Sequence, residues 1–162
     1  MKDRIVCASI ESLKREGLKF SVDTLANSLK ISKKTIYKFF PDKETLALAI
    51  YQKYYTDAKE KAQMLANSHS PSAHRELLHL YFDVKLMTRR DIFNKYKLNE
   101  SIYAYTAKQN DDLWEIVSSA FEDMASDQDR DTLRIIVDGS FEKLCNSRLD
   151  PDAVIERLVK LL

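Results

Sequence analysis

Apolar residues recur along the chain at three- and four-residue intervals almost from end to end, the spacing of helices that bury one face. Residues 3–16 place Ile5, Ala8 and Leu13 on such a face, and Gly17 follows as a C-terminal stop. Ser21 can cap a second helix that buries Val22, Leu25, Ala26 and Leu29, with Asp23 favourably placed in its first turn. Two residues later Ser32 can cap a third, from Lys33 to Phe40, which Pro41 closes because the residue before proline is pushed away from helical angles. Asp42 opens a long fourth helix over 43–66, its stripe made by Leu46, Ile50, Tyr54, Ala58, Ala62 and Leu65.

The polar stretch 67–72 reads as a linker. A helix over 73–88 is apolar on most sides, so it is surrounded by protein. Residues 92–107 read as one or two short helices and 110–125 as another, with 126–131 as a charged loop. The last two helices, 132–146 and 153–162, follow, with Pro151 well placed to open the final one. The pattern predicts an all-α protein.

Composition agrees. Two glycines and three prolines are too few for a turn-rich β sandwich or a glycine-built phosphate loop. The formal charge is only +1, which excludes a uniformly basic coat, but its distribution is uneven. Residues 1–46 hold 10 Lys/Arg against 6 Asp/Glu, whereas the remainder holds 16 against 19. A basic head on a mildly acidic body suits a nucleic-acid-binding module joined to something else. Cys7 and Cys145 read as free thiols in a reducing compartment. The opening residues lack a signal-peptide stretch, and no run approaches the ~20 apolar residues of a membrane span. The expectation is a cytoplasmic protein with no membrane partner.

The stretch 21–46 carries the chemistry. Two short helices joined by a tight turn, the second opening Ser-Lys-Lys-Thr, form a helix-turn-helix. Lys33, Lys34 and Thr35 offer donors suited to base edges in a major groove, while Ile36, Phe39 and Phe40 give the same helix an apolar side. Gly17, Ser21, Leu25-Ala26, Ile31-Ser32, Thr35-Ile36-Tyr37, Phe40-Pro41-Asp42-Lys43 and Leu46 occur in order and almost at the spacing of one known head. Over about its first 50 residues the chain resembles the tetracycline-repressor (TetR) family of transcriptional regulators. It departs from that pattern in carrying Lys30 where the turn usually has glycine, Phe39 where a polar residue is common, and Ser9 and Ser12 in the first helix. The loop after Gly17 is one residue short.

The resemblance implies a head at 1–46 and a helical ligand-binding and dimerisation body at 47–162. It implies that Ser32 is DNA-binding together with Lys33, Lys34 and Thr35, which face bases, while Ser21, Tyr37, Lys38 and Lys43 contact phosphates. It implies a homodimer on double-stranded, near-palindromic operator DNA, acting as a repressor and released by a small apolar effector. For the body, Tyr81, Phe82, Phe93, Tyr103, Tyr105, Trp114 and Phe121 are abundant enough to line an apolar pocket, although core packing explains any one of them. Ile136, Gly139, Ser140, Lys143, Ile155, Leu158 and Leu162 are the expected subunit interface. A protein partner in place of the effector, or an all-helical carrier or enzyme, are the alternatives. Against the latter stands the lack of a convergent acid/base set, so no enzyme activity and no cofactor are expected. His69, His74 and His79 recur every five residues, which turns successive rings by about 500° and off a shared face, so no metal site is expected.

Overall fold

A computed structural model describes residues 1–89, 95, 98–121 and 126–161. The described residues are helical: α1 (Lys2–Glu16), α2 (Val22–Leu29), α3 (Lys33–Phe39), α4 (Lys43–Ala66), α5 (Ala73–Met87), α6 (Glu100–Ser118), α7 (Asp127–Cys145) and α8 (Pro151–Leu161). A 3-10 turn, Gly17–Lys19, takes up the shortened loop after α1.

The caps lie where the sequence put them. Ser21 accepts the Thr24 N–H at 3.1 Å, and Thr24 Oγ1 accepts the Ser21 N–H at 3.1 Å, closing a capping box on α2. Ser32 accepts the Thr35 N–H at 3.1 Å, and Asp42 accepts the Thr45 N–H at 2.6 Å. Those bonds satisfy amide donors that a helix start leaves open.

Two expectations for the body are corrected. The break before residue 110 is absent: α6 runs unbroken from Glu100 to Ser118, because Lys108-Gln109-Asn110-Asp111 is polar but contains no glycine or proline. The charged loop at 126–131 is largely helix, since Ser126 accepts the Asp129 N–H at 3.2 Å and starts α7.

The contacts divide the chain into two compact units, Met1–Asp57 with Lys85–Gln109, and Ala58–Val84 with Asn110–Leu162. The unit holding the head thus extends beyond residue 46. Its core joins Ile5, Leu25, Ile36 and Phe40 to Ile50, Tyr51 and Tyr55. The Tyr51 hydroxyl donates to the Met87 carbonyl at 3.2 Å and the Tyr55 hydroxyl to the Thr106 carbonyl at 3.1 Å, tying α4 to the end of α5 and the start of α6. Burial pushes the Tyr55 phenol well above its usual range, so it remains a donor. Ser9 in α1 is buried and donates to the Ile5 carbonyl at 2.7 Å.

In the second unit Leu77, Leu78, Tyr81, Leu113, Trp114, Leu133, Val137 and Ile155 form the core. Among the described residues no helix is long and apolar enough to cross a membrane.

Candidate nucleic-acid interface

The head is built so that α3 is anchored by one side and bare on the other. Ile36 and Phe40 are fully buried, whereas Lys33, Lys34, Tyr37 and Lys38 are exposed. α1 packs on α2 and α2 on α3, so the three short helices hold one another. The turn between α2 and α3 is set by Lys30, whose φ of 55° and ψ of 43° are left-handed. Its N–H reaches the Asn27 carbonyl at 3.1 Å, and the Ile31 N–H reaches Ala26 at 3.0 Å. That is the Schellman closure a glycine usually makes, so the departure at Lys30 changes the cost of the turn and not its shape.

Of the residues expected at DNA, Lys34, Tyr37, Lys38 and Lys43 form no ion pair or hydrogen bond among the described residues. All four are exposed. Lys33 is also exposed but lies 2.5 Å from Asp23 on α2. An exposed pair of this kind is worth little, ~0–1 kcal/mol, so a phosphate or base can take the lysine at small cost. Thr35 is half-buried, with its hydroxyl 2.9 Å from that of Ser32. Ser21 is half-buried, and its hydroxyl is 3.2 Å from that of Thr24. The hydroxyls of Ser21, Ser32 and Thr35 shape the helix starts first, and any DNA contact they make is additional. Phe39 is half-buried against the head.

The residues expected to line a pocket are distributed over both compact units. Tyr103 and Tyr105 fall in the unit of the head, Tyr103 40% exposed, and two residues of helix set them on different faces. Tyr81, Phe82, Trp114 and Phe121 are buried in the second unit. There Tyr81 meets Trp114 at 5.2 Å, Phe82 meets Phe141 edge-on at 5.4 Å, and Phe121 stacks on His74 at 4.5 Å. Phe93 lies outside the described residues. One detail is unlike a plain core: the Trp114 Nε1–H is buried with no acceptor among the described residues.

A polar cluster the sequence did not disclose sits beside that indole. Tyr81 donates to Asp138 at 3.0 Å, and Arg134 bridges Asp111 at 2.6 Å and Asp138 at 3.6 Å. Burial and then the Asp138 charge push the Tyr81 phenol upward. Arg134 and Asp138 are an i,i+4 pair, but no spacing rule links them to Tyr81 or Asp111.

Of the expected interface residues, Ile136, Gly139 and Lys143 are exposed and Ser140 is half-buried. Ile155 and Leu158 are instead buried within their own unit, facing inward because they supply the apolar side by which α8 packs on α7. Leu162 lies outside the described residues. The exposed apolar positions on these helices are Ile135 at 73%, Ile136 at 46% and Leu161 at 72%. The histidines have separate surroundings: His69 in the turn after α4, His74 stacked on Phe121, and His79 3.5 Å from Asp152.

A short capped helix held on two others, with its outer edge basic, defines a helix-turn-helix protein. Residues 5–50 match the model of bacterial regulatory proteins of the tetR family. A transcriptional regulator of the TetR/AcrR family from Thermobifida fusca YX-ER1 has a similar fold over 99% of this chain and 94% of that one. The TM-score is 0.59 at 20% sequence identity. No curated protein matches the sequence. Residues 5–50 are therefore similar to the head of tetR-family regulators, and the fold of the chain is similar to that of a TetR/AcrR regulator.

Proposed function

We propose that the protein is a homodimeric, ligand-responsive transcriptional repressor that docks α3 of each head in successive major grooves of a near-palindromic operator. The observation that carries this reading is the edge formed by Lys34, Tyr37, Lys38 and Lys43, four exposed donors with no protein partner among the described residues. Lys34 and Lys33, on the first turn of α3, are the base-facing pair, with Thr35 beside them. Tyr37, Lys38 and Lys43 hold the phosphates and set the docking angle, with Ser21 at the margin.

The dimer rests on α7 and α8. Ile135, Ile136 and Leu161 leave apolar surface in water, and a Cβ added at Gly139 meets nothing within 4 Å. A second copy lying across this surface makes a two-fold four-helix interface and covers it. The effector rests on Trp114. A buried N–H without an acceptor costs ~1–3 kcal/mol, and an uncharged, mostly apolar ligand with one acceptor relieves that cost. A charged ligand pays too much desolvation there. A tenfold change in DNA affinity needs only ~1.4 kcal/mol of preference for one head spacing.

The test is selection from random duplexes by the purified protein, followed by titration with salt. Affinity for the enriched sequence falls with a log–log slope of about −0.9 per phosphate neutralised. Lys43→Ala and Tyr37→Phe weaken all sequences alike, whereas Lys34→Ala relaxes discrimination by ~1–3 kcal/mol at the base it reads. Selection that enriches no sequence refutes the reading.

A further inference from the structure

One recess in the unit of the head lies beside the basic edge. A cleft of about 260 Å³ opens between α1, the start of α2, α3 and α4. Leu13, Phe20, Val22, Leu46, Ala47 and Ile50 wall it. The Tyr51 ring joins them, and its hydroxyl is turned away to the Met87 carbonyl at 3.2 Å, so that wall is apolar too. Lys33, Tyr37, Lys43, Ser21 and Asp23 stand at the same cleft.

We propose that this cleft binds an amphipathic organic monoanion, of the medium-chain carboxylate type, and that its occupation displaces DNA directly. The walls favour an alkyl or comparable apolar body, each buried CH₂ being worth about 0.8 kcal/mol on transfer from water. The volume falls just below the ~300 Å³ at which pockets for drug-sized ligands begin, which suits a single chain. Charge sets the head group. Two lysines face one aspartate, and Asp23 already holds Lys33 at 2.5 Å. That leaves Lys43, with no ion-pair partner among the described residues, as one unbalanced positive charge. One carboxylate balances it; a neutral head group leaves it unbalanced, and a cation is repelled.

The consequence for DNA rests on the function proposed above. Lys33, Tyr37 and Lys43 belong both to the cleft and to the surface assigned to bases and phosphates. A bound carboxylate therefore takes Lys43, a cation that the DNA backbone needs, and the two ligands exclude each other at the head. No change in the spacing of two heads is required.

Decanoate below its micellar concentration is the probe, with decanol and decyltrimethylammonium as the neutral and cationic controls. Calorimetry of the full chain is expected to show saturable binding of decanoate alone. Ala47→Phe, which fills the cleft from a half-buried position, abolishes that binding while affinity for the selected duplex remains. In the wild type, saturating decanoate weakens duplex binding about tenfold or more (~1.4 kcal/mol), and in Ala47→Phe it has no effect. Nuclear Overhauser contacts from decanoate to Val22, Leu46 and Ile50 locate the ligand without any substitution. Contacts to the second unit only, equal binding of decanol, or no saturable binding each overturn the proposal. The calorimetry uses no DNA, so a failure of the DNA-binding reading leaves the cleft to stand or fall on its own result.

Discussion

Replacing Lys30 with glycine should stabilise the head, although it removes a charged residue from a basic surface. Lys30 sits at φ 55° and ψ 43°, is exposed, and its side chain makes no hydrogen bond or ion pair among the described residues. The only native interaction at risk is the backbone closure on Asn27, which glycine makes equally well. An L-residue in the left-handed region costs ~1–2 kcal/mol. Glycine regains that amount but frees the unfolded chain by ~0.4–1 kcal/mol. The net gain is on the order of 1 kcal/mol, or roughly 2–4 °C in Tm for a chain of this size. Lys30→Ala is the control, since it removes the same charge and keeps the left-handed cost. Trp114 lies in the other compact unit, so indole emission reports on that unit and the head is better followed by far-ultraviolet circular dichroism in urea. If Lys30→Gly is no more stable than Lys30→Ala, the turn carries no such strain and the argument from φ is wrong.

Gly139 gives opposite signs in the isolated chain and in the proposed dimer. Its Cβ site is open, so Gly139→Ala should stabilise α7 by about 1 kcal/mol in dilute protein. Gly139→Leu should hold the subunits apart and move sedimentation toward monomer; a leucine variant as dimeric as the wild type would falsify the interface. Asp42 links the head to pH. The Thr45 N–H holds its carboxyl below the ordinary 3.8, so its contribution is present above that value and is lost as pH falls through the lowered one. Asp42→Asn keeps an acceptor for the cap, and an acid-unfolding curve should show a shallower fall below pH 4 than the wild type.

The head was legible because its determinants are local. Ser21, Ser32 and Asp42 cap the helices they precede, Gly17 and Pro41 end others, and the order of Lys33, Lys34, Thr35 and Tyr37 places them on one short helix. Each depends on neighbours within four or five residues, which is the range over which sequence acts on a helix. The turn at Lys30 was marked only by the resemblance, whose pattern has glycine there.

The body was legible only as helices. Periodicity shows that a face is buried and not what buries it, so Ile155 and Leu158 looked as fit for a partner subunit as Ile136 does. Hydroxyl bonds from Tyr51 and Tyr55 to carbonyls 36 and 51 residues away carried the head's compact unit past the expected boundary. Likewise Tyr81, Asp111, Arg134 and Asp138 meet from three helices, and the cleft beside Lys43 is enclosed by residues from four. The sequence determined the short helices of the head and where its helix-turn-helix lies. Only the tertiary structure decided which aromatics are core, which surfaces stay open, and which charges share a site, because those depend on contacts between residues far apart in the chain.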